Sequence, residues 1–167
     1  TAALARSNAA LGKKTLIAEL ENDSGWNSTL ARSFGVHHFP IEPRELAPNL
    51  HGICLSAQAG QEMFLTSFLK LPSIAHAVVN NQGIKWFLEG APAFREMGYF
   101  NHLLIELRKD YDTVLLDLPA TGHMVGLAKL PKLLLKMIPF GPIADRLKEG
   151  QSYFYDKEKT AAWVVTL

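Results

Sequence analysis

Short apolar runs, separated by longer mixed segments, set the pattern of the chain. The clearest are residues 15–20 (TLIAEL) and 112–118 (DTVLLDL), and residues 161–167 (AAWVVTL) form a third. Runs of about four to eight apolar residues are typical of strands buried in parallel sheets. Two weaker strands are predicted at residues 37–43 and 50–56, on either side of a turn that contains proline and asparagine.

The segments between these runs carry helical patterns. Residues 2–11 are rich in alanine and leucine and precede Gly12, which predicts a helix that ends at a glycine. A second, short helical stretch is predicted to run through Phe34 to Gly35. Because helices alternate with strands that are apolar on both faces, the sequence predicts an α/β fold with a mostly parallel sheet flanked by helices.

Two longer regions are predicted to be mainly helical. Residues 58–109 repeat apolar side chains at helical spacing but contain glycine and proline, so several short helices are expected. Residues 124–157 form the second region, with breaks predicted at Pro131 and at 139–142. We interpret residues 1–167 as one domain, incomplete at both ends, in which these two regions form a helical insertion or subdomain.

Composition narrows the class of protein. Lys plus Arg total 17 and Asp plus Glu total 16, a formal charge of +1, so the chain lacks the cationic character of a nucleic-acid-binding protein. No stretch approaches the roughly 18 apolar residues of a membrane span. The single cysteine, Cys54, excludes an intrachain disulfide and a CxxC zinc site, and its apolar surroundings predict a buried structural thiol. We therefore expect a cytoplasmic protein that binds no zinc and no nucleic acid.

The strongest candidate for chemistry is the segment 117–123, DLPATGH. An aspartate at the carboxyl end of a buried strand, here Asp117, can hold Mg²⁺ through water beside a phosphate group. The P-x-x-G pattern of Pro119 and Gly122 can bring a backbone N–H and a flexible glycine close to a terminal phosphate, and such loops change conformation when the phosphate leaves. The alternative interpretation is a strand end followed by a tight turn and a helix cap, and a motif this short leaves both open.

The same segment carries a resemblance to a known family. YDTVLLDLPATGHMVGLAKLP resembles the switch II region of the ArsA/GET family of P-loop ATPases, which includes arsenical pumps (anion-transporting ATPases) and ATPases that target tail-anchored proteins; the likeness is to a bacterial-type member. ALGKKTLIAELEND, FLEGAPAFREM and AAWVVTL are also similar to segments of that family. The resemblance implies a P-loop NTPase-like fold of the SIMIBI class, ATP and Mg²⁺ as cofactors, ATP hydrolysis, and a homodimer that closes across the nucleotide.

The resemblance also assigns residues to the nucleotide site. Asp117 would hold Mg²⁺ through water, and Thr121 and Gly122 would report the state of the phosphate to the helices that follow. His123 would sense the phosphate as well, although a histidine at the start of a helix is alternatively a surface or capping residue. The residues that the motif places at the cofactor are Asp117, Pro119, Thr121, Gly122 and His123.

Two segments depart from the family pattern. The phosphate-binding loop, G-K-G-G-x-G-K-[ST], would lie just before Thr1, so we expect the 167 residues alone to be inactive and the intact protein to be an ATPase. In switch I, the family's D-P-A-H-S is replaced by Glu21-Asn22-Asp23-Ser24-Gly25. Alignment on the strand places Glu21 at the family's water-orienting aspartate, but Asp23 is an equal candidate. Either acid is alternatively a solvated loop residue.

A leucine-rich stretch, residues 127–140, is compatible with either a binding groove for a partner or an ordinary core. In members of the family that target membrane proteins, a helical subdomain with an apolar groove holds the client's transmembrane helix, and the lysines here would suit a groove rim. The alternative is that these leucines cover the sheet as ordinary core. Metalloid transport is disfavoured, because metalloid sites in the family use paired or triple cysteines and this chain has only Cys54.

Three functions follow from these patterns. The first is an ATPase of the ArsA/GET type, with nucleotide and a membrane-protein client or membrane partner as its ligands. The second is a client-binding or scaffold module whose nucleotide site is vestigial, which the altered switch I favours. The third, a dinucleotide-binding dehydrogenase domain, ranks last because no G-x-G-x-x-G follows any predicted strand.

Overall fold

The computed structural model describes residues 1–21, 28–69, 92–118, 121–137 and 139–164. Within the chain, Thr1–Thr121 and Gly122–Leu167 are separate compact units.

The described residues contain ten helices and strands. In chain order they are α1 (Ala2–Ala10), β1 (Thr15–Leu20), α2 (Thr29–Arg32), β2 (Arg44–Ala47), β3 (Leu50–Leu55), α3 (Ala57–Leu69), α4 (Pro92–Leu107), β4 (Thr113–Asp117), α5 (Thr121–Met137) and α6 (Pro142–Tyr155). None of the helices in these described ranges is long and apolar enough to cross a membrane.

The four strands form one sheet in the order β2-β3-β1-β4. β1 is central and runs parallel to β3 on one side and to β4 on the other, whereas β2 pairs antiparallel with β3. The predicted fold class, a mostly parallel α/β sheet flanked by helices, is confirmed, and it is consistent with a P-loop-like fold. In open sheets of this kind ligands bind beyond the carboxyl ends of the strands.

The apolar character of β1 follows from its central place. Thr15, Leu16, Ile17 and Ala18 are all buried, so both faces of the strand are covered. On one face Ile17 belongs to a core cluster that α1 and α2 help to build. The members of this cluster are Ala5, Ala9, Ile17, Ala31, Phe39 and Leu50. By alternation along the strand, Leu16 and Ala18 face the other side of the sheet.

The strand predicted at residues 37–43 is wrong. These residues are in no strand, and the chain instead forms β2 at Arg44–Ala47. Pro40 and Pro43 lack the N–H that a ladder needs, while the charged, exposed start of β2 suits an edge strand. The predicted proline–asparagine turn is present, and Asn49 takes the left-handed φ of 63° that such a turn allows.

The strand predicted at residues 161–167 is also wrong over residues 161–164, the part of it that the structure describes. Residues 161–164 are in no strand and are exposed, with Trp163 82% accessible. An apolar run becomes a strand only where a neighbour pairs with its backbone, and residues 161–164 pair with none of the four described strands. Residues 165–167 lie outside the described residues.

Most of the observed helices lie within the regions predicted to be helical. α1, α3 and α4 lie where helices were predicted, and residues 70–91 lie outside the described ranges. The break predicted at Pro131 is wrong, because α5 continues through this buried proline and begins three residues before Met124. The break at 139–142 is confirmed, with Gly141 at a φ of 89° just before α6. That these helices form a separate subdomain remains a prediction.

Candidate functional site

Acidic side chains lie at the carboxyl ends of the two adjacent strands β1 and β4. Glu19 and Asp117 are partners in the parallel register of these strands, so their side chains point to the same face of the sheet. Glu21 is the first residue after β1 and is exposed. This edge of the sheet is where the α/β architecture places ligands.

Thr1 connects the start of α1 to the end of β4. Its Oγ1 donates a hydrogen bond to Oδ1 of Asp117 at 2.6 Å. Thr1 is the N-cap residue of α1, yet its side chain makes no capping hydrogen bond to the helix. The hydroxyl therefore binds the aspartate instead of an N–H of its own helix, and the positive end of α1 is brought to the carboxylate.

Ser28 makes an equivalent contact to Glu19. Its Oγ donates to Oε2 of Glu19 at 2.6 Å and accepts from the N–H of Ala31 at 2.8 Å, as an N-cap of α2 does. Burial raises the pKa of Glu19, the hydrogen bond from Ser28 opposes the rise, and the negative charge of Asp117 adds to it. The side chain is thus a partly desolvated carboxyl beside a second acid.

Cys54 completes a row of side chains across the sheet. It is the β3 partner of Glu19 and is half-buried. Burial raises the pKa of its thiol to about 12, and the charges of Glu19 and Glu21 contribute. A thiol with so high a pKa is protonated at neutral pH, in accord with the structural role predicted for it and not with a nucleophile.

The backbone of Glu21 is held from two sides. Its N–H donates to the carbonyl of Leu55 at 2.9 Å, and its carbonyl accepts from the Tyr99 hydroxyl of α4 at 3.0 Å. Arg95 lies one helical turn before Tyr99, with Nη2 at 3.4 Å from the phenolic oxygen and the guanidinium 5.9 Å from the ring centroid.

Helix α4 is locked against the start of α3. Asn101 donates to the carbonyl of Gly60 at 2.9 Å, and Nδ1 of His102 accepts from the N–H of Ser56 at 3.1 Å. A Cβ at Gly98 would overlap the backbone carbonyl of Ala57, so only glycine permits this approach of the two helices. His102 is fully buried, and this burial lowers its pKa.

The remaining predicted site residues are only partly placed. Asp117 and Glu21 lie at the carboxyl edge of the sheet, whereas Asp23 and Pro119 lie outside the described residues. The other three belong to the first turn of α5, and only their backbone is described: Thr121, Gly122 and His123.

Four side chains of this edge were missed in the sequence: Thr1, Glu19, Ser28 and Tyr99. Glu19 had a signal, because a charged residue interrupts the otherwise apolar strand TLIAEL. Ser28 had one too, as a serine just before a short helical stretch. Thr1 and Tyr99 had none, since their contacts join residues that are far apart in the sequence.

The leucine-rich stretch divides between core and surface. Leu127 and Leu130 are buried, whereas the core interpretation, that these leucines cover the sheet, remains a prediction. Leu133 and Phe140 are 54% and 83% exposed. Helical periodicity alone could not separate these two groups.

The donors at Asp117 fit a hard divalent cation. A carboxylate and a hydroxyl lie within hydrogen-bond distance of each other, and both offer the oxygen ligands that Mg²⁺ prefers. In P-loop NTPases a threonine or serine and an aspartate at a strand end hold Mg²⁺ in this combination. Across the part of the chain that the structure describes, no three His, Cys, Asp or Glu side chains cluster as metal ligands.

Comparison with known proteins points to ATPases. No protein-family model matches the chain. The chain is 25% identical over 178 aligned residues to ATPase BagA of Mycobacterium tuberculosis (strain ATCC 25618 / H37Rv), and equally similar to a Mycobacterium bovis protein, Mb3704, that carries ATPase in its name. The alignments cover 99% of this chain and 51% of each relative, so the chain spans about half the length of the curated relatives it matches. Its distant relatives are thus proteins named as ATPases.

Proposed function

We propose that this chain is the nucleotide-binding part of an ATPase of the ArsA/GET type, which binds ATP and Mg²⁺ at the carboxyl edge of the sheet. The observation that carries the proposal is the hydrogen bond between Thr1 and Asp117, because it joins a helix N-terminus to a strand-end aspartate. A helix N-terminus favours phosphate, and a strand-end aspartate favours its cation. The names of the distant relatives support the general activity.

In this proposal Asp117 holds Mg²⁺, through water, together with the hydroxyl of Thr1. When bound, the ion neutralises charge on the β- and γ-phosphate oxygens. Asp117 is suited to this role because it ends a strand of the central sheet and its Oδ1 is already oriented by Thr1. Glu19, its partner on β1, adds negative charge to the same face.

Glu21 orients the attacking water in this proposal, with Asp23 as the alternative. Support for Glu21 comes from its place directly after β1, its exposed side chain, and a backbone held by hydrogen bonds to Leu55 and Tyr99. A general base or water-orienting group acts only when its position is fixed relative to the reacting atoms.

The start of α5 reports the nucleotide state in the same proposal. Thr121 and Gly122 are the first residues of this helix, and α5 begins four residues after Asp117. Release of a phosphate near this turn would therefore act directly on the helix. Pro119 and His123 complete the motif, and a homodimer that closes across the nucleotide is the assembly that the family resemblance implies.

The test is ATP turnover by the complete protein with Asp117→Asn. We expect kcat to fall by about 10- to 100-fold, the effect typical of removing a group that acts on a metal through its ligands. The matched control is Asp112→Asn, the same change on the residue before β4, where the aspartate accepts from the N–H of Lys14 at 2.7 Å. Equal turnover by wild type and Asp117→Asn would refute the role of Asp117.

The second candidate is a client-binding or scaffold module with a vestigial nucleotide site. The exposed Leu133 and Phe140 favour an apolar client. This function predicts that client binding is the same with ATP, with ADP and with no nucleotide. Binding that changes between ATP and ADP supports the ATPase instead.

A further inference from the structure

A tyrosine hydroxyl from α4 reaches the residue that follows β1. Tyr99 donates to the carbonyl of Glu21 at 3.0 Å, while the N–H of Glu21 donates to Leu55 at 2.9 Å. We infer that Tyr99 is a positioning residue for Glu21, fixing the backbone from which the carboxylate projects. The inference rests on the proposed function, in which that carboxylate orients water.

The phenolic hydroxyl is itself held in place. Tyr99 is only 5% exposed, and the residue before it, Gly98, packs against the backbone of Ala57 so closely that no side chain fits. Two and three residues later, Asn101 and His102 bond to the start of α3. Because α4 is fixed on both sides of Tyr99, the hydroxyl has little freedom to follow Glu21 if that residue moves.

Arg95 adds a charge to this contact. Its Nη2 lies 3.4 Å from the oxygen of Tyr99, so the phenol can accept from Arg95 while it donates to Glu21. A hydrogen bond donated by a group that is itself bonded to a cation is strengthened by polarisation. The contact therefore links an exposed cation of α4 to the backbone of the proposed water-orienting residue.

Tyr99 contacts a residue that is far away in the sequence. It lies 78 residues from Glu21, and its hydroxyl joins α4 to the end of β1 by a hydrogen bond. A shift of about 1 Å in a group that orients a reactant can lower a rate by about a hundredfold. A single hydroxyl at this point is thus able to affect catalysis without touching the nucleotide.

The experiment is a double-mutant cycle of Tyr99→Phe and Glu21→Gln in the complete protein, measured by ATP turnover. The first change removes one oxygen and leaves the ring in the core. We expect Tyr99→Phe to lower kcat by about 10- to 100-fold with little change in KM, because Glu21 remains but is less well oriented. In the Glu21→Gln background, we expect Tyr99→Phe to have almost no further effect.

The matched control is Tyr155→Phe. The hydroxyl of Tyr155 also donates to a backbone carbonyl, that of Ala128, at 3.3 Å, but within the second unit. We expect this variant to keep the kcat and KM of the wild type. Amide hydrogen exchange in the nucleotide-free protein is the second measurement, and we expect faster exchange at Glu21 in Tyr99→Phe but not in Tyr155→Phe.

Three results would overturn the inference. One is an unchanged kcat in Tyr99→Phe, and another is a loss of equal size in the presence and absence of the Glu21 carboxylate. The third is an unchanged amide exchange rate at Glu21. Failure of the proposed function looks different: the wild-type protein then shows no ATP turnover, while faster exchange at Glu21 in Tyr99→Phe still supports the backbone contact.

Discussion

His102 should make the stability of the protein depend on pH. The imidazole is fully buried, and its Nδ1 accepts the N–H of Ser56 just before α3. Burial lowers its pKa from the ordinary value of 6.5; the backbone of Ser56 and Ile41 and the charge of Glu106 oppose this effect, and the charge of Lys109 adds to it. Protonation of Nδ1 would exchange the bond from the Ser56 N–H for one to the Ser56 carbonyl, 3.4 Å away, but burial is the larger effect and favours the neutral ring in the folded state.

The size and sign of the effect follow from proton linkage. Because the folded pKa is lower than the unfolded one, the unfolded chain binds more protons below about pH 6.5, and stability falls as the pH falls. The slope contributed by His102 approaches about 1.4 kcal/mol per pH unit between the unfolded and the folded pKa. Well above pH 6.5 the residue is neutral in both states and the slope from this source disappears.

Urea unfolding between about pH 5 and pH 7 measures this slope. The variant is His102→Asn, whose amide oxygen can still accept from Ser56 but does not titrate, and the control is His37→Asn at an exposed position. We expect the free energy of unfolding of His102→Asn to vary less with pH than that of the wild type and of the control. Parallel curves for all three proteins would refute the linkage, even if His102→Asn is uniformly less stable.

Two further substitutions test local packing and capping. Ser28→Ala should lower the free energy of unfolding by about 1 kcal/mol, since it removes the cap on the Ala31 N–H, and circular dichroism during urea unfolding measures the change. Gly98→Ala should destabilise by at least about 1–3 kcal/mol, because the new methyl overlaps the backbone of Ala57. Gly12→Ala is its comparison in thermal unfolding: that position is open but has a φ of +79°, so a loss from strain alone, of about 1–2 kcal/mol, is expected. A smaller loss at Gly98 than at Gly12 would contradict the close helix contact.

The fold was predictable where burial on both faces decides the structure. β1 is apolar because both of its faces are buried, and its sequence shows this directly, whereas β4 is equally apolar in sequence but only half-buried. β2 was missed because an edge strand carries charged, exposed residues such as Arg44 and Glu45. Residues 161–164 show the reverse case, because their composition is typical of a strand but they pair with no described strand.

The site was predictable only where a local motif marks it. Asp117 ends an apolar strand and begins D-x-P-A-T-G-H, so it was found from the sequence. Thr1 and Tyr99 act through contacts that span 116 and 78 residues, and no local pattern contains that information. Nor could the sequence show that α5 would pass through Pro131, because the burial of this proline depends on tertiary contacts that no local pattern contains.

The acidic edge of the sheet has an energetic consequence for the proposed function. Glu19 and Asp117 occupy partner positions on adjacent strands, and the burial of Glu19 and, to a smaller extent, the charge of Asp117 both oppose ionisation of Glu19. Hydroxyl groups from Thr1 and Ser28 offset part of this cost, but neither carries a charge. A divalent cation at Asp117 would offset this repulsion, so the arrangement that opposes ionisation of Glu19 also favours binding of the ion. Conflicts of this kind between stability and local electrostatics are expected where a protein binds its ligand.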